Sequence, residues 1–172
     1  PAGTSSITFT STGFTQNTFG ASYPCIYVAI RRPHKPPTAA TEVFKPVVQT
    51  AQGTVTAGFP IDMAIFADNS STWGYNSTIQ NRLNGGTQAL VTNTVDAELS
   101  SSNTTFDSNT SLTDGWISGG QSGLYLNFKR APGFFDMVSY TGAGDPTVVN
   151  HNLGAVPELT IIKRRDSASS YA

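Results

Sequence analysis

The sequence contains little cysteine, histidine or charge. Cys25 is the single cysteine, and His34 and His151 are the two histidines. One cysteine cannot form an internal disulfide, and there is no cysteine pair that could hold zinc. The usual arrangements of nucleophile, base and orienting acid are therefore nearly excluded by the residues available. We expect a protein that is not an enzyme and that uses no metal and no cofactor.

Charged residues make up 12% of the chain, and the formal net charge is −1. A nucleic-acid-binding protein needs clustered Lys and Arg to neutralise phosphates, so this composition argues against nucleic acid as a partner. No apolar run approaches the roughly 20 residues that span a bilayer, and no basic start precedes an apolar stretch as in a secretory signal. We expect no membrane insertion. Because the chain begins with Pro1, we expect it to be a piece of a longer protein or a processed product.

The residues that are abundant favour β-structure. Thr, Ser, Asn and Gly dominate the polar composition, and β-branched Thr suits an exposed pleated surface. No stretch repeats apolar residues with the helical period of 3.6, and Asn84-Gly85-Gly86 is typical of a hairpin turn. The sequence predicts an all-β fold of short antiparallel strands in small sandwich-like modules. The strands expected from alternation and branching are 7–10, 61–66, 88–93, 134–140, 147–149 and 159–162.

Two segments of the chain follow the same pattern, in which an apolar strand ends in two basic residues and a proline. Residues 26–33 and residues 124–132 both end in this way. Each is followed by Gly-Phe and then by Asp-Met, at 62–63 and at 136–137. This order predicts an internal repeat of small β-modules.

The repeat and the prolines predict how the chain is organised. Four prolines between residues 33 and 46 disfavour a central strand and favour an extended linker. The predicted segments are the C-terminal part of a first β-module at 1–33, a Pro-rich linker at 34–57, a second β-module at 58–132 and the start of a third β-module at 133–172.

The repeat also predicts which side chains are buried, because successive side chains of a strand point to opposite faces. We expect Asp62-Met63 and Asp136-Met137 to begin equivalent strands, and Tyr27 and Tyr125 to face outward or a neighbouring subunit. The side chains expected in the core are Ile26, Val28 and Ile30 of the first unit and Leu124, Leu126 and Phe128 of the second.

The C-terminal part carries the most specific pattern in the sequence. A strand with aromatic residues and Asp at 134–140 leads into a Gly turn, then into His151-Asn152-Leu153-Gly154 and a proline-led strand at 157–163. This pattern resembles a β-rich module of unknown function in tail-fibre and tail-appendage proteins of tailed bacteriophages, notably marine ones. That module often lies beside lectin-like sandwich domains, and the resemblance covers most of the chain except the Pro-rich linker.

The resemblance implies a structural segment of a phage tail fibre or appendage that takes part in host attachment. It implies a location in the virion, extracellular when assembled, and it implies no catalytic residues. Such elongated appendages are commonly homotrimers, and small β-modules with little core of their own gain stability from packing between subunits. We therefore expect a homotrimer that contacts other virion tail proteins and, if it lies at the tip, a host surface glycan.

Three aromatic residues in polar, Gly-rich surroundings are candidate glycan contacts, because an aromatic ring stacks on the apolar face of a sugar. They are Trp73, Tyr75 and Trp116. The alternative interpretation is structural: the rings are half-buried and pack on the fold, as tryptophan usually does. A carbohydrate-binding receptor-recognition module is thus the alternative function, and a polysaccharide-cleaving tailspike segment is the third.

Two further motifs receive structural interpretations. In His151-Asn152-Leu153-Gly154, Asn152 and Gly154 permit a tight turn, and His151 is expected to hydrogen-bond across it rather than to act in catalysis. The basic pairs at the strand ends are expected to contact acids on a neighbouring unit or subunit, with Asp62 and Asp136 as the candidate partners.

Overall fold

The computed structural model describes residues 7–9, 14–16, 36–69, 74, 76–100, 104–117, 121–142 and 148–168. The chain divides into two compact units, Pro1–Pro33 and His34–Ala172. In the first unit, β1 (Ile7–Phe9) pairs antiparallel with β2 (Phe14–Gln16). The segment 26–33, on which half of the predicted repeat depends, lies outside the described residues, as does Thr147.

The second unit is built from antiparallel strands, and the predicted all-β fold is confirmed. Its strands form one sheet in the order β3-β10-β5-β6-β7-β8 and a two-stranded sheet of β4 with β9. A single 3₁₀ turn, Ala40–Glu42, is the helical element among the described residues, and none of them forms a helix long and apolar enough to cross a membrane. The strands are β3 (Phe44–Gln49), β4 (Thr54–Thr56), β5 (Met63–Asp68), β6 (Thr78–Asn81), β7 (Gln88–Val91), β8 (Leu99–Ser100), β9 (Ser111–Thr113) and β10 (Gly123–Phe128).

The core lies between the two sheets, in a small sandwich-like arrangement. The inner face of the six-stranded sheet presents Tyr125, Phe66 and Ala64 to Val55 of β4 and Leu112 of β9. Loop residues complete this cluster, because connecting segments close the ends of a two-layer core. The loop side chains buried in it are Ala57, Phe59, Ile61, Phe106 and Ile117.

The outer face of the six-stranded sheet is also apolar. Cross-strand register places Val48, Leu124 and Ala67 in one row, and side chains in register across antiparallel strands share a face. The next row contains Pro46, Leu126, Ile65, Ile79 and Leu90. We call these two rows the outer face; Val48 and Pro46 are exposed, and most of the others are half-buried.

The predicted orientation of β10 is therefore wrong. Tyr125 is completely buried, whereas Leu124, Leu126 and Phe128 point to the opposite, half-buried face. Alternation distinguishes the two faces of a strand but does not say which one packs inward when both are apolar. Tyr125 takes the inner position because its hydroxyl finds a buried hydrogen-bond partner there.

The predicted linker over 34–57 is also wrong, because it contains β3 and β4. Pro46 lies in β3, which pairs with β10 alone and forms an edge of the sheet. An edge strand tolerates proline since the missing N–H faces away from its partner. The predicted boundary after residue 33 coincides with the division of the chain into two units, whereas those at 57 and 132 fall inside the second unit.

Beyond β10 the backbone forms no regular strand in the described residues, contrary to the expectation for 134–140 and 159–162. Ala131 and Phe135 instead exchange two backbone hydrogen bonds of 3.0 and 3.2 Å around a tight turn at Pro132-Gly133. After this turn no described residue joins a strand of either sheet. Asp136-Met137 consequently begins no strand, whereas Met63 begins β5 as predicted.

Candidate functional site

A buried carboxylate lies just after β9 and organises the loop that follows it. The Asp114 carboxylate accepts hydrogen bonds from the backbone N–H of Trp116 at 2.8 Å and of Ile117 at 3.2 Å. It also accepts one from the hydroxyl of Tyr125. Burial, together with this bond to Asp114, raises the pKa of the Tyr125 phenol. The pair therefore joins a neutral phenol to a carboxylate inside the core, which suits a structural role.

Trp116, one of the three candidate glycan contacts, packs against this core. Its ring is nearly parallel to that of Phe66, with an interplanar angle of 17° and a centroid distance of 6.4 Å. Its Nε1 is buried and has no hydrogen-bond partner in the described part of the chain. The contacts of Trp116 thus support the packing interpretation. Trp73 and Tyr75 lie outside the described residues.

The His151-Asn152-Leu153-Gly154 segment forms a tight turn. The backbone N–H of Leu153 donates to Nδ1 of His151 at 3.3 Å, and Gly154 has a φ of +72°, which favours glycine. A hydrogen bond connects this turn to the earlier turn at Pro132-Gly133. The Asn152 N–H donates at 2.7 Å to the carboxylate of Asp136, which follows that earlier turn.

Asp62 forms the centre of a small ion-pair cluster at the start of β5. Its carboxylate lies 3.5 Å from Nε of Arg82 and 3.7 Å from Nε of Arg130, and it accepts a 2.7 Å hydrogen bond from the Arg130 backbone. Asp62 thus pairs with the strand-end base Arg130 inside one unit, whereas the sequence predicted a contact with a neighbouring unit or subunit. Arg82 was not predicted; its guanidinium also donates to the Ile61 carbonyl and lies over the Phe106 ring.

The end of the described chain is tied to the other edge of the six-stranded sheet. The Arg165 guanidinium donates to both oxygens of Glu98, which precedes β8, and the Glu98 backbone N–H donates to the Arg165 carbonyl at 2.8 Å. Nζ of Lys163 donates to the Thr94 carbonyl at 3.0 Å. The hydrogen bond to Glu98 raises the pKa of Arg165, so the guanidinium stays charged. No pattern in the sequence pointed to Glu98 as the partner, since 67 residues separate the two.

Between the His151 turn and Lys163 the chain exposes apolar side chains. We call residues 156–162 the apolar segment; Val156 is 89% exposed, Leu159 77% and Ile161 61%. Residues 154–162 form no backbone–backbone hydrogen bond with the rest of the described chain. Moving these apolar side chains out of water lowers the free energy. The backbone of the segment is not held by the hydrogen bonds that join neighbouring strands of a sheet. Four of the exposed large apolar side chains of the described residues lie in this segment, since Ile162 is exposed as well.

The described residues form few sites with side chains suited to catalysis or to metal binding. A shallow hollow of about 230 Å³ lies near the 3₁₀ turn, and its lining includes Ala39, Val43 and Phe134 but no titratable side chain. No three metal-ligating side chains among the described residues come together as a group that could hold a metal ion. The apolar segment and the outer face of the six-stranded sheet are therefore the candidate functional surfaces.

These surfaces belong to a small antiparallel all-β module of sandwich-like form. No family model, no curated protein and no solved structure matches the chain.

Proposed function

We propose that this chain is a structural segment of a phage tail fibre or related appendage that takes part in host attachment and works as a homotrimer. Two observations support the proposal. One is the resemblance carried by 134–144 and 151–163, and the other is the exposed apolar segment. The second observation carries the argument, because it concerns the folded chain itself.

Exposed apolar surface is the property expected of an assembly protein. Soluble monomers rarely expose contiguous apolar patches larger than a few hundred Å², and larger patches mark contacts with other molecules. Here Val156, Leu159 and Ile161 lie in a short stretch that contains one charged residue, Glu158. A formal net charge of −1 gives copies of the chain little electrostatic reason to repel one another.

Sedimentation of the purified chain tests this proposal. We expect a species of about three times the chain mass of 18.2 kDa at micromolar concentration. Sedimentation only as a single chain at every concentration tested would contradict an assembly role.

A carbohydrate-binding tip is the alternative that the sequence raised. The packing of Trp116 on Phe66 supports it less than it supports a structural segment. A glycan array screened with the purified chain separates the two: the structural proposal predicts no selective binding. Selective binding that Trp73→Ala abolishes in a folded chain would favour the carbohydrate-binding function instead.

A further inference from the structure

The turn between β6 and β7 contains the single Asn-Gly pair of the sequence, Asn84-Gly85. Glycine has no Cβ, so its backbone nitrogen can approach the side chain of the preceding residue without steric hindrance. Gly85 is exposed, and its N–H lies 3.5 Å from the Arg82 carbonyl oxygen, whereas an ordinary N–H···O bond measures about 2.9 Å. The nitrogen of Gly85 is therefore accessible to water and only weakly held.

The side chain of Asn84 contacts the ion pair that anchors the chain end. Nδ2 of Asn84 donates a hydrogen bond to Oε1 of Glu98. The Arg165 guanidinium donates to the same carboxylate, with Nε 3.1 Å from Oε1 and Nη2 2.8 Å from Oε2. The Glu98 side chain is only 12% exposed. A largely buried carboxylate thus links the β6–β7 turn to the end of the described chain.

We propose that Asn84 is a site of deamidation and that the modification loosens the contact between Glu98 and Arg165. The backbone nitrogen of Gly85 attacks Cγ of Asn84. A new C–N bond forms, the bond from Cγ to Nδ2 breaks, and ammonia leaves with the proton of the Gly85 nitrogen. Water then opens the cyclic imide at either of its carbonyls, which leaves aspartate or isoaspartate at position 84.

The product has a carboxylate where the unmodified chain has an amide that donates to Glu98. An ionised carboxylate only accepts hydrogen bonds, and two carboxylates at this distance repel each other. Burial of Glu98 limits the screening of this repulsion by water and salt. Arg165 cannot turn to the new carboxylate without leaving a partner, because Nε and Nη2 bind Glu98 and Nη1 donates to Ser139 at 3.3 Å. Glu98 is consequently displaced, and residues 163–167 open more often.

Incubation of the purified chain at mildly alkaline pH, followed by site-resolved mass spectrometry, tests the modification. We expect position 84 to gain the mass difference between an –NH₂ and an –OH group severalfold faster than position 109. Asn109 is the matched control, because it is exposed and precedes a threonine, whose side chain hinders the attack. Asn84→Gln should abolish the gain at position 84, since glutamine would have to close a larger ring. Equal rates at positions 84 and 109 would overturn the proposal.

Hydrogen exchange tests the structural consequence. Residues 163–167 should exchange severalfold faster in Asn84→Asp, which is one of the two products, than in the wild type. Asn109→Asp adds the same charge in an exposed loop and should leave this exchange unchanged. Circular dichroism checks the fold of both variants, and the deamidated wild-type chain, separated by anion exchange, replaces Asn84→Asp if that variant does not fold. Unchanged or slower exchange of residues 163–167 would show that Glu98 and Arg165 accommodate the new charge, and the proposed loosening would be wrong.

Discussion

The hydroxyl of Tyr125 donates a hydrogen bond to the carboxylate of Asp114, and both side chains are buried between the two sheets. Tyr125 lies on the central strand β10, whereas Asp114 lies just past β9 of the small sheet. The bond thus joins the two layers of the sandwich at one point. It also explains why the tyrosine faces inward.

Removing this hydroxyl should destabilise the fold. In Tyr125→Phe the buried Asp114 carboxylate loses one of its donors and keeps the backbone N–H groups of Trp116 and Ile117. Losing a hydrogen bond to a charged group costs about 1.5–3 kcal/mol of unfolding free energy. The control is Tyr140→Phe, at an exposed side chain, which should change stability by less than about 0.5 kcal/mol. Urea unfolding measures both. Equal, small effects of the two substitutions would show that the bond contributes nothing.

The same pair predicts a loss of stability in alkali. The ordinary pKa of tyrosine is 10.0, and burial with the bond to Asp114 raises the pKa of Tyr125 in the folded chain. The folded state therefore holds this proton more tightly than the unfolded state. The raised pKa of Tyr125 therefore stabilises the folded chain fully below about pH 10. Above that pH this stabilisation declines by up to about 1.4 kcal/mol per pH unit, because Tyr125 ionises in the unfolded chain.

Unfolding free energies measured from about pH 8 to about pH 11 in the wild type and in Tyr125→Phe check this. The difference in stability between the two should shrink above about pH 10. A difference that stays constant across this range would contradict the raised pKa.

Gly86 marks a close approach between two loops. A Cβ added there would lie 1.4 Å from the Thr104 carbonyl oxygen, which belongs to the backbone and moves only with its loop. Gly86→Ala should therefore cost on the order of 1–3 kcal/mol or more, as overpacking does. Gly142→Ala is the matched control, since nothing lies within 4 Å of its Cβ position. Thermal unfolding of both variants gives the comparison, and an unchanged midpoint for Gly86→Ala would refute the close approach.

The pair of Arg165 with Glu98 should hold the chain end locally. An ion pair at the surface contributes about 0.2–1 kcal/mol, so Arg165→Ala should change global stability little. Hydrogen exchange of residues 163–167 should nevertheless become faster, because this pair anchors the end of the segment. Arg164 pairs with Asp166, two residues along the same segment, so Arg164→Ala is a control with no effect on the anchor. Identical exchange in the two variants would mean that Arg165 does not hold the segment.

Local patterns in the sequence predicted the elements that local chemistry determines. Asn84-Gly85 predicted the hairpin between β6 and β7, in which Gly85 adopts a φ of +71°. The apolar runs at 61–66 and 124–128 became β5 and β10, since short alternating runs have few other ways to be buried.

The features that the sequence did not predict depend on contacts between residues that are far apart in the chain. Pro46 is compatible with β3 only because that strand lies at an edge, which is a property of the sheet and not of the prolines. The inward position of Tyr125 depends on Asp114, and the position of Arg165 depends on Glu98. The run at 159–162 has the composition of a strand, but it pairs with no strand in the described chain, so composition alone did not determine its structure.

Hydroxyl-radical footprinting at increasing protein concentration tests most directly whether another copy covers the apolar segment. The oxidation rates of Leu159 and Ile161 should fall severalfold as the chain assembles, whereas that of Leu83, an exposed side chain outside the apolar segment, should not change. Oxidation of Leu159 and Ile161 at one rate from dilute to assembled protein would contradict the account.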